Sequence, residues 1–259
     1  MPVDDHERKQ PIGPWSAPPR VQPNQRPTPS RRASRRISWS AIFFVLISLG
    51  VGIRAFKDLS RPEAWAYWKD QYLSPSLTAS LVPRADLGRT GRGRVALAIH
   101  GTIGPAAASW LRTQIEHANL APGDLVLLSS PGGDVGQAII MGEIIRSRGL
   151  ATAVGSPADS GRVRPAYCAS ACVLVFAGGK PRYGVEGSLL GVHRFVTTIP
   201  VSDPVADTQR TTGTLLGYMN RMGVSSSVVE AMSETSAVRW LAPKEALAMN
   251  LITDPLRKP

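Results

Sequence analysis

Asp124-Leu-Val-Leu-Leu-Ser-Ser-Pro-Gly-Gly-Asp-Val135 passes from an unbroken apolar run, through a Pro-Gly-Gly turn, into a helical pattern. A run that is apolar on both faces suits a strand buried inside a parallel sheet rather than one half-exposed to water. Gly132 and Gly133 come directly after that strand, so their backbone N–H groups fall at the carboxyl edge of the sheet. Open α/β sheets place their ligands along that edge. From Val135 to Arg148, Val135, Ala138, Ile139 and Ile145 share one side, Arg146 and Arg148 fill the last turn, and Gly149 stops the helix.

The same alternation extends outward on both sides. Val95-Ala-Leu-Ala-Ile99 is a second apolar run, and the helix after it carries Trp110, Leu111 and Ile115 at helical spacing. Ala151–Val154 reads as a further strand, Cys172–Phe176 as a helix begun near Ser170, and Leu189-Leu-Gly-Val-His193 as a returning strand. Strands alternating with helices predict an α/β domain with a mostly parallel sheet and flanking helices. The C-terminal third reads as helical. Leu215, Leu216, Met219 and Met222 form a packing stripe, with further helices over Ser225–Ser233 and Pro243–Asn250.

The chain has 259 residues and a net charge of +11, unevenly spread. Residues 1–36 hold eight Lys/Arg against three Asp/Glu, together with eight prolines, and are expected to be a disordered basic tail. No basic face with interleaved aromatics recurs later, so no nucleic-acid partner is expected. The apolar run just after the basic cluster explains it better. Ile37–Ile53 contains 17 uncharged residues after Arg31, Arg32, Arg35 and Arg36. With Arg54 snorkelling and Ala55-Phe56 extending the apolar stretch, residues 37–56 are expected to be a retained transmembrane anchor. Arginines before it favour a cytoplasmic N-terminus and an extracytoplasmic C-terminal domain. A cleaved signal peptide is the alternative, but Arg54 and Lys57 stand where small residues of a cleavage site belong.

Residues 57–94 read as a juxtamembrane segment and linker, and the folded domain as 95–259. Trp65, Tyr67, Trp68 and Tyr72 cluster within the segment and suit either a membrane interface or docking on the domain. Two cysteines four residues apart make neither a disulfide framework nor a zinc pattern, and no metal or cofactor is expected. Cys168 and Cys172 read first as buried structural thiols, with a disulfide bracing the Ser170 turn as the alternative.

The candidate site combines Ser170, His193, Gly133 and Ala171. A serine hydroxyl needs a base to accept its proton, and the tetrahedral intermediate needs donors for its oxyanion. Ser170 lies between Ala169 and Ala171 at a strand-to-helix turn, His193 ends a strand, and the N–H groups of Gly133 and Ala171 can act as donors. His100 reads as a strand-end residue, His117 as an exposed helix end and His6 as part of the tail.

At these residues the chain resembles the ClpP/crotonase superfamily, and within it the Clp protease proteolytic subunit. The resemblance runs through Ile99-His-Gly-Thr-Ile103, Ser130-Pro-Gly-Gly-Asp-Val135, Cys168-Ala-Ser-Ala-Cys-Val-Leu-Val-Phe-Ala-Gly178, Gly191-Val-His-Arg194, Leu241-Ala-Pro-Lys-Glu-Ala246 and Asn250-Leu-Ile-Thr253. It implies a ClpP/crotonase-like fold over about residues 95–254. It further implies Ser170 as nucleophile, His193 as base, Gly133 and Ala171 as oxyanion donors, a polypeptide substrate and a homo-oligomer. One position departs. The acidic third member is expected three residues before Leu241, where this chain has Val238, with Glu234 and Ser236 as neighbouring polar groups. The resemblance leaves two functions as expectations: a membrane-tethered extracytoplasmic serine peptidase, or a catalytically degenerate binding or assembly module. The loop Gly155–Tyr167, with Arg162 and Arg164, is long for the family and lies just before the nucleophile. It could gate a cleft or contact a partner.

Overall fold

A computed structural model describes residues 38–88, 93–195 and 202–255. The basic tail expected over 1–36 lies outside these residues. The chain divides into two units between Val51 and Gly52. Helix α1, Trp39–Leu59, is long and apolar enough to cross a membrane, and none of its side chains is buried.

In the larger unit α2 (Pro62–Trp68) runs into a π-helical turn, Lys69–Leu73. The remaining elements are β1 (Leu77–Ala85), β2 (Arg94–Gly101), α3 (Ala107–His117), β3 (Leu125–Ser129), α4 (Val135–Ser147) and β4 (Ala151–Val154). They continue as β5 (Ser156–Pro157), β6 (Val163–Arg164), β7 (Tyr167–Ala169), α5 (Cys172–Ala177), β8 (Arg182–Gly184) and β9 (Leu189–Val192). The chain closes with α6 (Pro204–Arg221), α7 (Ser227–Ser233), β10 (Arg239–Trp240), α8 (Pro243–Ala248) and β11 (Asp254–Pro255).

Six strands form the central sheet in the order β1-β2-β3-β4-β8-β11, parallel throughout except for β1. All five residues of β3 are buried, as a run apolar on both faces requires. Alternate side chains divide between two cores. Leu97, Ile99, Val126, Leu128 and Val154 join the larger one with α3, α4 and α5, while Ala96, Ala98, Leu125, Leu127, Ala151 and Ala153 join the smaller. The Gly155–Tyr167 loop contributes to the smaller core. It folds into a β5–β6 hairpin whose Val163 is buried there, and the N–H of Val163 donates to the Asp86 carbonyl (3.0 Å).

Leu77–Ala85 is the main departure from the sequence reading, which placed it in the juxtamembrane segment and linker. It is strand β1, paired antiparallel with β2 from Leu77↔Gly101 to Ala85↔Arg94. Its burial is sparse, with only Leu77, Val82 and Ala85 covered, so no strict two-residue alternation marks it.

Helix ends obey their sequence signals. Asp134 caps α4 by accepting from the Gln137 N–H (2.8 Å), and Asp203 caps α6 by accepting from Val205 and Ala206 N–H, with Pro204 at the first helical position. Tyr218 on α6 is buried and donates to the Leu174 carbonyl (2.6 Å). Burial first, then the Glu143 carboxylate, raises its phenol above the ordinary tyrosine value and keeps it a donor. Its hydroxyl fills the space where a side chain at Gly142 would stand, which lets α4 and α6 close on each other.

The carbonyl ends of α5, α6 and α8 converge on one buried guanidinium. Arg182 donates to Ala177 (3.4 Å), Gly179 (3.2 Å), Met222 (3.2 Å), Asn250 (2.6 Å) and Leu251 (2.8 Å) carbonyls. Arg146 shares two of these acceptors, Ala177 and Met222. Helix C-termini carry partial negative charge, so cations suit this junction without a carboxylate. Burial, and then the neighbouring Arg146 charge, lower the Arg182 pKa to about 10, still far enough above neutrality to keep it charged.

Candidate active site

Three short segments meet at the carboxyl edge of the central sheet. After β3, Ser130 forms a parallel bridge with Cys168, and Gly133 forms one with Ile103. These bridges hold the Pro131-Gly132-Gly133 turn between the end of β2 and strand β7. In a second sheet, β7 pairs parallel with β9, and β9 antiparallel with β10. Thus β7 delivers Ser170, and β9 delivers His193 beside it.

Ser170 has φ +56°, a left-handed conformation that side chains rarely adopt. Such a turn costs on the order of 1–3 kcal/mol and must be held by its surroundings. Two constraints are visible. The Ser170 N–H donates to the Gly191 carbonyl (2.8 Å), and Cys168 and Cys172, both buried, are joined in a disulfide across the turn. The free-thiol reading of these cysteines is therefore corrected in favour of the bracing one. Four positions apart, their Cα atoms stand 5.3 Å from each other, well inside the reach of a disulfide.

The glycine turn presses closely on this serine. A Cβ at Gly132 would lie 2.7 Å from Ser170 Cβ and 2.9 Å from the Ala171 nitrogen. At Gly133 (φ +141°) a Cβ would lie 2.2 Å from the Ile103 carbonyl oxygen. The bridge to Ile103 uses the Gly132 carbonyl and the Asp134 N–H, so it leaves the Gly133 N–H unused. Among the described residues neither the Gly133 nor the Ala171 N–H has a backbone acceptor. Ala171 follows the serine directly and Gly133 follows the Gly132 that packs against it, so these two N–H groups are the candidates to hold a developing oxyanion.

Ser170, Ala171 and His193 line one small hollow of about 20 Å³ with Val135, Leu174, Phe195, Leu215 and Met232. That volume admits roughly one water molecule. No hydrogen bond joins the Ser170 and His193 side chains among the described residues; instead His193 Nδ1 lies 2.7 Å from the Arg194 carbonyl oxygen. A carbonyl can only accept, so Nδ1 is the donor, and in the neutral imidazole this tautomer leaves the lone pair on Nε2. Phe195, Leu215 and Met232 also belong to a larger apolar groove of about 640 Å³ along α6 and α7.

The position expected to hold an acid is occupied by Val238, which is exposed. Arg239 pairs with Val192, and continuing that antiparallel register by one residue sets Val238 opposite His193. Val238 packs over Gly191, where an added Cβ would meet its Cγ1 at 2.6 Å. Glu234 is committed elsewhere, in an ion pair with Arg239 (3.0 Å) that also engages Glu245. Ser236 is exposed. The Arg194 carbonyl is the orienting group that residue types could not reveal, since every residue carries one. Leu215, read as a packing residue, also walls the hollow, and Met232 of α7 joins it. His100 sits apart at the end of β2 beside Ser129 Oγ (3.3 Å), and His117 is exposed at the end of α3.

No protein-family model and no curated protein matches the chain. Among solved structures, ClpP1 from Listeria monocytogenes is similar at 13% identity and a TM-score of 0.49, and a point mutant of that protein at 14% and 0.48. Each match covers 62% of this chain and 90% of the other. These likenesses concern the fold.

Proposed function

We propose that this chain is a membrane-tethered, ClpP-like serine peptidase that cuts polypeptide segments on the extracytoplasmic side of the membrane. The observation that carries the proposal is Ser170, held at positive φ against the Gly132-Gly133 turn and sharing one hollow with Ala171 and with a histidine whose Nδ1 lies on a backbone carbonyl. In the reaction, His193 Nε2 takes the Ser170 hydroxyl proton as Oγ attacks the scissile carbonyl carbon. The oxyanion forms against the Gly133 and Ala171 N–H groups. Collapse breaks the C–N bond, and Nε2 returns its proton to the leaving amine. A water molecule then repeats the sequence on the acyl-enzyme. The apolar groove beside the hollow supports a polypeptide as substrate. The resemblance in the motifs supports a homo-oligomer, and the arginines ahead of the apolar helix support the topology.

A fluorophosphonate probe tests this on the full chain in detergent. Wild type is expected to label at Ser170, and Ser170→Ala and His193→Ala to lose the label. Well-folded wild type that never labels would sink the peptidase reading and leave the second one, a degenerate binding or assembly module. Val238 is the observation favouring that second reading.

The same assay measures what Val238 costs. An acid there would face the imidazole from the adjacent strand and support the imidazolium with a full charge. Val238→Asp is expected to speed labelling by about tenfold or more, and Val238→Asn by much less. Equal rates in all three proteins would show that position 238 has no part in orienting His193.

A further inference from the structure

The segment Phe56–Leu73 has one face tied to the folded domain and another left bare. On the tied face Asp70 is buried, accepting from Ser76 N–H (2.8 Å) through one oxygen and from Ala106 N–H (3.0 Å) through the other. Ser109 donates to Gln71, which leaves the Tyr67 hydroxyl to donate to Ser109 (3.1 Å). These bonds reach α3 and the entry to β1, so the segment has a fixed attitude on the domain. The bare face carries Phe56, Leu59, Trp65, Trp68, Tyr72 and Leu73, which line a hollow of about 580 Å³ whose only other lining residue is Ser60. Trp65 is 60% exposed, Tyr72 63% and Leu73 69%. Trp68 and Tyr72 stack with ring centroids 4.9 Å apart.

We propose that this face is a membrane seat: it lies in the interfacial layer of the bilayer, with lipid acyl chains entering the hollow. Four observations favour lipid over a protein partner. Phe56 and Leu59 belong to the last turns of the apolar helix α1, so the patch continues a surface already suited to hydrocarbon. Large rings with one polar atom are the side chains that settle at the headgroup level. Lys57 and Lys69 are chain neighbours of the patch residues Phe56 and Trp68, and long cationic side chains there can reach phosphates while their stems lie on apolar surface, whereas Arg61 is paired with Asp58 (3.3 Å). Finally, Tyr67, Asp70 and Gln71 turn their polar atoms to the tied face, while the hollow on the bare face is lined by large apolar side chains and Ser60 among the described residues. Of the aromatic cluster, Tyr67 docks on the domain, and the proposal assigns Trp65, Trp68 and Tyr72 to the interface.

The proposal rests on reading Trp39–Leu59 as a membrane anchor, and one experiment separates the two. The full chain is reconstituted in phosphatidylcholine nanodiscs whose acyl chains are, or are not, brominated near the glycerol end. Difference fluorescence between wild type and Trp65→Phe/Trp68→Phe isolates the emission of the seat, and between wild type and Trp39→Phe that of the anchor. The seat emission is expected at short wavelength, with most of it lost in brominated lipid. Quenched Trp39 emission with unquenched, long-wavelength seat emission would overturn the seat and leave the anchor standing. Short-wavelength seat emission that bromine does not quench would mean that protein, another copy or a partner, covers the patch, which also overturns it. A chain that fails to enter nanodiscs removes anchor and seat together. None of these outcomes bears on Ser170, which the fluorophosphonate assay reports separately.

Discussion

Gly133→Ala is expected to reduce fluorophosphonate labelling of Ser170 by about a hundredfold or more. The added methyl would stand 2.2 Å from the Ile103 carbonyl oxygen, and φ at this residue is +141°. Neither condition can be met without moving the backbone. The movement breaks the short parallel bridge from Gly132 and Asp134 to Ile103 and re-aims the one N–H that the bridge leaves free. Losing a single oxyanion donor costs about two to three orders of magnitude in acyl-transfer enzymes. Gly123→Ala is the control. Gly123 also has positive φ, +89°, yet has open space around it, so alanine there brings backbone strain alone, about 1 kcal/mol. Labelling kinetics and a thermal melt on both variants separate the effects. A folded Gly133→Ala protein that labels at the wild-type rate would remove Gly133 from the site.

The second large effect concerns stability. Arg182→Met is expected to cost about 3 kcal/mol or more and lower Tm by roughly 10 °C. Arg146 still serves the Ala177 and Met222 carbonyls in the variant, but those of Gly179, Asn250 and Leu251 lose the donor. A buried acceptor left without a partner costs about 1–3 kcal/mol, and methionine fills the volume without supplying a proton. Relief from burying a charge beside Arg146 offsets part of the loss, which is why the expected figure stays below the sum of three orphaned carbonyls. Chemical denaturation of the two proteins decides it. A loss under about 1 kcal/mol would mean that water replaces the guanidinium at the helix ends.

How far the sequence could be read depends on how each element is buried. β3 was legible because it is covered on both faces, α4 because its buried residues recur at helical spacing, and β2, β4 and β9 because each carries a short apolar run. β1 was missed because an edge strand needs few apolar residues, and Pro83 and Arg84 looked like linker. β8 was missed because its first residue is an arginine, and its burial depends on carbonyls from three helix ends that no local pattern announces. At the proposed site, Ser170, His193 and the glycine turn are candidates that residue type and order can suggest, and the structure brings Ser170 and His193 to one hollow. The carbonyl that sets the histidine tautomer was not legible, because backbone groups are invisible to composition. The cysteines had two readings from spacing alone, and only the approach of strand to helix around Ser170 selected one.

The edge strand has a wider consequence. β1 ends the central sheet, and an open row of N–H and C=O groups invites another chain to add itself. Here the row is interrupted. The pairing register shifts between Val82 and Ala85, Pro83 lacks a donor, Arg84 places a charge on the margin, and the Asp86 N–H is already taken by the Gly161 carbonyl. These are the features that keep sheets from growing strand by strand into fibres. Two copies of this chain are thus guarded against joining strand to strand along that margin.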